Sequence, residues 1–256
     1  MSNWNAAHYL TYADERIRAA VDLAARIRLN SPTTIADLGC GPGNSTQILR
    51  DRWPAADILG IDNSAEMLDS AKKLYPDQKW ELADVSNWKT DRSFDLLYSN
   101  AALQWIPNHD TLMPRLFAMV SSGGALAFQI PSSTYATVRK LIHDISREAK
   151  WNDQMRSPRN ALTMREPSFY YDELVTSASH LDIWETEYFH IMNSKVAIVD
   201  WIASTGLRPF LAVLENERER HDFLNQLHER VNAAYEFRRD GKVLYPFRRT
   251  FVIAYK

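Results

Sequence analysis

The stretch IADLGCGPGNST, residues 35–46, decides the fold of this chain. An apolar run that ends in an acid leads into a loop with glycine at positions 39, 41 and 43, and a helix-like segment follows. A glycine-rich turn between a strand and a helix lets a ligand approach the backbone in doubly wound α/β proteins. The stretch therefore predicts a nucleotide-like ligand at the end of the first strand of a parallel sheet.

Strand-like runs alternate with helical patterns through the first half of the chain, and further runs follow in the second half. These runs are 34–38, 57–62, 79–85, 94–100, 123–130, 181–192 and 247–256. Alternation of this kind predicts parallel βαβ units that bind ligands at the carboxyl ends of their strands. We therefore predict an α/β fold with a Rossmann-like seven-stranded sheet that ends in an antiparallel pair and has helices on both faces.

Composition and charge exclude several classes of protein. The net charge of −2 argues against a nucleic-acid binder, which would carry a basic excess. The apolar runs are shorter than a membrane span and the first residues lack the pattern of a signal peptide, so we expect a cytoplasmic protein without membrane association. One cysteine, Cys40, allows no internal disulfide, and His221 and His228 lack a third ligand, so we expect no metal. The oligomeric state is not indicated.

The spacing of the glycines argues against a dinucleotide. The dinucleotide fingerprint has its third glycine at the sixth position, where this chain has Asn44. Asp37, two residues before the first glycine, would disfavour a pyrophosphate and favour a cationic ligand. S-adenosylmethionine carries an ammonium and a sulfonium, and its carboxylate can bind the loop amides. Asp62 and Asp84, after the second and third strand-like runs, suit the ribose hydroxyls and the adenine amino group.

Four segments together resemble the class I S-adenosylmethionine-dependent methyltransferases. They are DLGCGPG at 37–43, GIDNSAEML at 60–68, ADVSNW at 83–88 and FDLLYSNAALQWI at 94–106. The resemblance implies that Asp37, Gly39 and Gly41 hold the methionine portion of the cofactor and Asp62 its ribose. It also implies that Met67 covers one adenine face, that Asp84 and Val85 line the adenine edge, and that Asn100 lies near the sulfonium. Further candidates for this site are Cys40, Asn44, Asn63 and Tyr9.

The resemblance also suggests how the chain is divided. Residues 1–256 would form a single methyltransferase domain with a cofactor-binding core at about 30–131. Insertions at about 132–166 and 195–243, with the N-terminal segment 1–28, would form a helical cap. Residues 13–28 have the spacing of an amphipathic helix, with apolar positions at Ile17, Ala20, Val21, Ala24 and Ile27.

The acceptor is inferred partly from what the sequence lacks. No NPPY-like motif follows the fourth strand, no second cysteine is present, and no acidic cluster there suggests a metal-dependent enzyme. A small acceptor methylated at oxygen remains. The segments WNAAHYL, SNAALQWIPNH, REPSFYYDELV, VDWIASTGLRPFL and PFRRTFVIA resemble the trans-aconitate methyltransferase family over nearly the whole chain. This resemblance implies esterification of one carboxylate of trans-aconitate to a monomethyl ester.

A carboxylate acceptor needs cations rather than a catalytic base. Its ordinary pKa of about 4 leaves it ionised at neutral pH, so we expect no catalytic side chain. Arginine binds carboxylates bidentately, and we favour Arg208, which lies between a glycine and a proline that fix a turn. Strand alternation lets at most one of Arg248 and Arg249 face the site. The other candidates are Arg165, Tyr171, Gln104, Trp105, His8 and His190.

Other interpretations stay open at this point. The acceptor could be another small carboxylic acid or a malonyl thioester. An NAD-dependent oxidoreductase is disfavoured by the glycine spacing and by Asp37, and a catalytically silent nucleotide-binding module is a third hypothesis. Asp62 could equally cap the following helix, together with Asn63 or Ser64, and Asp84 could form a turn.

Overall fold

The computed structural model describes residues 13–132 and 137–256. Tyr9 and His8, two predicted site residues, lie outside the described residues.

Seven strands form one sheet with the order β3-β2-β1-β4-β5-β7-β6. The first five strands pair in parallel, and β7 lies antiparallel between β5 and β6. The predicted seven-stranded sheet with an antiparallel pair at its end is confirmed. The strands are β1 (Thr34–Leu38), β2 (Asp57–Asp62), β3 (Lys79–Leu82), β4 (Phe94–Asn100), β5 (Val120–Pro131), β6 (His180–Met192) and β7 (Val243–Tyr255).

Nine α-helices connect these strands in the described part of the chain, and two short 3-10 turns accompany them at Leu103–Trp105 and Pro158–Asn160. The helices are α1 (Ala13–Arg26), α2 (Asn44–Arg52), α3 (Ala65–Leu74), α4 (His109–Ala118), α5 (Thr137–Ser146), α6 (Pro167–Leu174), α7 (Lys195–Ala203), α8 (Arg208–Ala212) and α9 (Glu217–Ala234).

Apolar clusters cover both faces of the sheet. Alternation along β4 sends Leu96 to one face, where helices α1 and α2 pack, and Leu97 to the other, where α4 and α6 pack. This arrangement confirms the prediction of helices on both faces. A third cluster joins α5, α7, α8 and α9 to the ends of β6 and β7 at Met192 and Tyr245. Both predicted insertions therefore contribute to one apolar cluster beyond the sheet.

Two local predictions were wrong. Val21 is 43% exposed on α1, because the helix turns Leu23 rather than Val21 toward the sheet. Strand β3 ends at Leu82 and does not continue to residue 85, because Asp84 accepts a hydrogen bond from the Ser86 amide and begins a turn.

Among residues 13–132 and 137–256, no helix is both long and apolar enough to cross a membrane. In the same residues, no group of three or more His, Cys, Asp or Glu side chains could hold a metal ion.

Candidate active site

A cavity of about 580 Å³ opens at the carboxyl ends of the parallel strands. The sheet contributes the loops after β1, β2 and β4, together with the turn after β3. The first insertion contributes α5 and the second 3-10 turn, and the second insertion contributes α7 and α8. The cavity therefore lies between the sheet and the two insertions.

Two glycines of the first loop have different reasons to be glycine. Both have positive φ angles, 73° at Gly39 and 56° at Gly41, which other residues rarely adopt. A Cβ on Gly39 would lie 2.2 Å from the Cβ of Ala102, whereas a Cβ on Gly41 would meet no atom within 4 Å. Gly39 thus allows two loops to touch, and Gly41 leaves its surface open to the cavity.

The amides of this loop are mostly used within the protein. The N–H groups of Gly39 and Cys40 both donate to the Ile61 carbonyl, at 2.8 and 3.0 Å, and Gly41 donates to Asp62. A ligand carboxylate is therefore left with the first turn of α2, whose cap residue Gly43 has no side chain to accept from those N–H groups. The sequence predicts an anion contact both at the loop amides and at the start of the next helix, and the helix start is the one that these hydrogen bonds leave available.

Asp37 lies beneath the loop and does not line the cavity. Its side chain is fully buried, and its Oδ2 accepts hydrogen bonds from the hydroxyls of Ser45 and Thr46, both at 2.7 Å. Burial raises the pKa of this carboxyl to about 6, against the lowering effect of the two hydroxyls. The side chain therefore supports the loop from inside, and any effect of Asp37 on a bound ligand would come from its charge rather than from a place in the cavity lining.

Asp62 joins the first two loops. Its Oδ2 accepts from the Gly41 amide at 2.9 Å and its Oδ1 from the Ser64 amide at 2.8 Å. Burial raises the pKa of Asp62, although these backbone hydrogen bonds oppose the shift. Ser64 is the residue that caps α3, because its hydroxyl accepts from the Met67 amide. Asp62 is therefore not the helix cap and lies on the cavity wall.

The turn after β3 forms another part of the wall. Val85 is buried and Asp84 is exposed, and both line the cavity. Arg115 on α4 donates to the carbonyls of Val85 and Trp88, at 2.6 and 2.8 Å, and so holds this turn against the sheet. Met67 and Asn63, from the segment after β2, line the cavity as well.

A chain of polar side chains runs from the end of β4 to β7. Gln129 donates to Asn100 Oδ1 at 2.5 Å, and Arg249 donates to Gln129 Oε1 at 3.4 Å. Arg249 is buried, and its guanidinium lies over the Phe247 ring at 4.4 Å. These hydrogen bonds connect the buried guanidinium of Arg249, through Gln129, to Asn100 on the cavity wall.

The 3-10 turn after β4 is fastened to the first insertion. The Thr163 amide donates to the Gln104 carbonyl at 2.7 Å, and the Gln104 side chain donates to the Ala101 carbonyl at 2.6 Å. Gln104 is 5% exposed, and within the described residues its Oε1 accepts no hydrogen bond. Gln104 and Trp105, two of the predicted acceptor contacts, both line the cavity.

Behind this turn lies a buried pair of His109 and Tyr170. The His109 Nε2 donates to the Leu103 carbonyl at 2.9 Å, and its Nδ1 therefore accepts from the Tyr170 hydroxyl at 2.8 Å. Burial lowers the pKa of His109, so the ring is neutral. The pair connects α4 and α6 to the 3-10 turn that bears Gln104.

The cavity is acidic at the carboxyl ends of the parallel strands β2 and β3, and it is basic at the two insertions and the antiparallel strand β7. Asp62 ends β2 and Asp84 follows β3, whereas five arginines come from the two insertions and β7. These arginines are Arg139, Arg159, Arg208, Arg248 and Arg249. The arrangement can hold a cationic ligand on the sheet next to an anionic one under the insertions.

Comparison with known proteins decides the family. A family model described as a methyltransferase domain matches residues 35–124. Trans-aconitate 2-methyltransferase of Methylobacterium radiotolerans is 42% identical over 100% of this chain and 99% of its own length. The enzyme of the same name from Variovorax paradoxus is also 42% identical, over 100% and 99%, and the Shigella dysenteriae enzyme is 41% identical, over 99% and 98%.

The chain belongs to the trans-aconitate 2-methyltransferase family.

Solved structures of distant sequence share the fold. The YcgJ protein of Bacillus subtilis has a TM-score of 0.62 at 10% identity, over 93% of this chain and 98% of its own. A putative methyltransferase of Bacillus halodurans has a TM-score of 0.61 at 11% identity, over 93% and 99%. At such low identity, the likeness shows the fold alone.

Several residues that sequence analysis assigned to acceptor binding lie away from the cavity of this family member. Arg165 is exposed and its guanidinium lies over the Phe169 ring at 5.2 Å, and Tyr171 is 50% exposed. His190 is buried in the third cluster, with its ring 4.7 Å from the Trp201 ring. These three predictions are corrected, because α6 turns Tyr170 rather than Tyr171 inward and β6 turns His190 into the core.

The other predicted residues meet at the cavity. Arg208, at the start of α8, lines it, and burial lowers its pKa while the charge of Glu66 raises it. Arg248 and Arg249 both contribute to the lining, which corrects the expectation of at most one. Arg248 also lies within 4 Å of carboxylates of β6, at 3.7 Å from Glu185 and 3.5 Å from Glu187.

Three further residues line the cavity from the first insertion and were not predicted, namely Arg139, His143 and Arg159. A sequence pattern for two of them exists, because residues 138, 142 and 145 are apolar and recur at helical spacing. In such a helix, Arg139 and His143 lie together on one face. The sequence-based prediction gave this insertion only as part of a helical cap, without the bounds of its helix.

Proposed function

We propose that this protein transfers the methyl group of S-adenosylmethionine to one carboxylate of trans-aconitate, giving a monomethyl ester. The observation that carries the proposal is the division of charge in one cavity, in a chain that aligns over its whole length with members of this family. Acids lie at the ends of β2 and β3, and arginines lie on the two insertions and β7. S-adenosylmethionine is cationic at its sulfonium and trans-aconitate is a trianion, so the two ligands match the two parts of the cavity.

The residues present fit this cofactor. The open surface at Gly41 admits a ligand to the backbone, and Asp62 presents a fixed carboxylate next to it. We assign Gly39, Cys40 and Asn44 to the methionine end, with Asp37 contributing its charge from below the loop. Asp62 and Asn63 would bind the ribose, Met67, Asp84 and Val85 would surround the adenine, and Asn100 would lie near the sulfonium.

S-adenosylmethionine supplies an electrophilic methyl group on its sulfonium, and the protein has to align an oxygen nucleophile with it. Acceptor carboxylates are already ionised at neutral pH, so no side chain has to remove a proton. Burial, and the charges of Asp37 and Asp62, raise the pKa of Cys40 well above its ordinary value, so its thiol stays protonated and is not a nucleophile. The chain's residues therefore act by binding, orienting and excluding water.

The acceptor would be held by the basic walls. Arg208 and Arg249 are the predicted cations that line the cavity, with Gln104 and Trp105 beside them. Arginine's planar fork binds a carboxylate bidentately and so fixes both its position and its orientation. Orientation matters because the reacting oxygen has to lie in line with the bond that breaks.

The test is incubation with isotopically labelled S-adenosylmethionine and a panel of acids, followed by detection of base-labile methyl esters. The panel contains trans-aconitate, other di- and tricarboxylates and a malonyl thioester. We expect the fastest labelling with trans-aconitate, and faster labelling of another acid would move the proposal to that acceptor. Thermal stabilisation by S-adenosylhomocysteine is expected in parallel, and stabilisation by NAD alone would contradict the assigned cofactor.

A further inference from the structure

Three side chains of the first insertion form a basic wall of the cavity that the cofactor assignment does not use. Arg139 and His143 lie one turn apart on α5, and Arg159 lies in the second 3-10 turn. We call these three residues the α5 wall.

Among the side chains of the α5 wall, Arg139 has the fewest interactions that offset its positive charge. Its guanidinium donates to the Met164 sulfur at 3.0 Å, and among the described residues no carboxylate lies within ion-pair distance of it. Burial lowers its pKa, and no acid counteracts that effect. A half-buried charge without a counter-ion is unfavourable, and an anionic ligand in the cavity would neutralise it.

Arg159 is held rigidly beside it. Its guanidinium donates to the Ser146 carbonyl at 2.5 Å and to the Asn152 carbonyl at 3.1 Å. These acceptors are neutral, so they fix the side chain without cancelling its charge. Arg159 therefore contributes a positive charge of fixed position to the cavity.

His143 lies within the electric field of both arginines. Burial lowers its pKa first, and the charges of Arg139, Arg147 and Arg159 lower it further, whereas Asp144 raises it. Asp144 is itself paired with Lys140 at 2.7 Å on the exposed side of α5. The ring of His143 packs against the edge of Phe210 at 5.9 Å. The charges that act on His143 are thus mainly positive, as they are in an anion-binding site.

We propose that Arg139, with Arg159 and His143 beside it, forms a subsite for a carboxylate of the acceptor that is not methylated. The inference rests on the proposed function and deepens it, because it predicts that the acceptor must carry at least two carboxylates. One carboxylate would react next to the sulfonium, and another would bind the α5 wall. A monocarboxylate of similar carbon skeleton would leave Arg139 without a ligand carboxylate.

The test compares Arg139→Gln and Arg139→Lys with Arg147→Gln, an exposed arginine that follows the same helix. Kinetics with trans-aconitate give KM and kcat, and calorimetry gives the Kd of trans-aconitate and of S-adenosylhomocysteine. We expect Arg139→Gln to raise the KM and Kd for trans-aconitate about 10–100-fold, with the Kd for S-adenosylhomocysteine unchanged. Arg139→Lys should retain part of the affinity, and Arg147→Gln should match the native enzyme.

A second readout separates ligand binding from folding. Proton NMR titration of His143 should show its pKa rising when trans-aconitate binds to the native enzyme, because the bound anion offsets the positive charges around it. Arg139→Gln at the same saturation should show a smaller rise. Thermal unfolding of each variant identifies any variant that has lost its fold.

The outcomes distinguish the two proposals. If the native enzyme methylates no carboxylic acid, the proposed function fails, and the subsite is then judged from the Kd of trans-aconitate alone. If the native enzyme does methylate trans-aconitate, an unchanged KM and Kd in a folded Arg139→Gln variant would overturn the subsite. An equal loss for crotonate, a monocarboxylate, would also overturn it, since a monocarboxylate should not reach this wall.

Discussion

Gly41 donates its backbone N–H to Asp62 Oδ2 over 2.9 Å, which joins the loop after the first strand to the end of the second. The same carboxylate accepts from the Ser64 amide, so two backbone donors fix its orientation. Replacing Asp62 with alanine removes both contacts, and we expect the affinity for S-adenosylhomocysteine to fall about 10–100-fold, as for loss of a charged hydrogen bond. Calorimetry measures this change. Asp51→Ala, on the exposed surface of α2, serves as the control, and an unchanged Kd in Asp62→Ala would remove Asp62 from the site.

Gly39 and Gly41 provide a matched pair of substitutions. Alanine at either position costs about 1–2 kcal/mol for its left-handed backbone. Gly39→Ala also forces its Cβ to 2.2 Å from the Ala102 Cβ, which adds about 1–3 kcal/mol of overpacking. We therefore expect urea unfolding to show the larger loss of stability for Gly39→Ala. Gly41→Ala should lose only the backbone part of this stability and should instead weaken cofactor binding. Equal stabilities of the two variants would contradict the difference in packing.

Asp37 makes stability depend on pH. Its folded-state pKa of about 6 lies above its ordinary 3.8, so its protonated form is favoured in the folded protein. The stabilisation is complete below about pH 3.8 and is lost as pH rises through 6, and the difference amounts to about 3 kcal/mol. Asp37→Asn keeps an acceptor for Ser45 and Thr46 but cannot ionise. We expect its stability relative to the native enzyme to increase between pH 4 and pH 7.5, as measured by urea unfolding, while its affinity for the cofactor falls. A constant difference across that range would show that Asp37 does not titrate there.

Substitutions at two adjacent tyrosines test whether the His109–Tyr170 pair stabilises the 3-10 turn at Leu103–Trp105. Tyr170→Phe removes the hydroxyl that donates to His109, which leaves a buried ring nitrogen without its donor at a cost of about 1–3 kcal/mol. Tyr171→Phe changes a side chain that is 50% exposed, and its effect should stay within about 0.5 kcal/mol. Chemical denaturation compares the two. Because the His109 ring also holds the Leu103 carbonyl, we expect Tyr170→Phe to raise the KM for the acceptor as well.

Arg208 and Arg165 allow a cavity arginine to be compared with a surface arginine. Arg208 lines the cavity, and Arg165 is exposed and stacked on Phe169. We expect Arg208→Ala to raise the KM for trans-aconitate about 10–100-fold, the magnitude of a lost charge-assisted contact. Arg165→Ala should leave KM unchanged. If the two variants behave alike in steady-state kinetics, Arg208 is not part of the acceptor site.

Local patterns in the sequence predicted the sheet and the cofactor side of the site. The segment before Gly39, the acid Asp62 and the apolar runs of the strands each carry a short-range signal, and parallel strands bring their carboxyl ends to one edge. The sequence indicated that Asp37 belongs to the glycine loop region. It did not indicate that the side chain is buried under the loop, because that depends on hydrogen bonds from the Ser45 and Thr46 hydroxyls of the following helix.

The acceptor side depends on contacts between distant segments, and here prediction was weaker. Nothing in the local pattern around Arg165, Tyr171 or His190 says which of them faces the cavity, because the packing of α6 and β6 against other elements decides their direction. Arg139 faces the cavity because α5 packs on α9, which lies about 80 residues later in the chain. Such a contact has no signature in the insertion alone.

The hydrogen bond from the Thr163 amide to the Gln104 carbonyl ties the segment after Arg159 to the turn after Asn100. A ligand that contacts one of these segments therefore acts on an element that is hydrogen-bonded to the other. Thermodynamic linkage requires any such coupling to be reciprocal. If bound S-adenosylhomocysteine multiplies the affinity for the acid by some factor, the bound acid multiplies the affinity for S-adenosylhomocysteine by the same factor. Binding isotherms for each ligand, recorded with and without the other, therefore measure the coupling between the two halves of the cavity from either side.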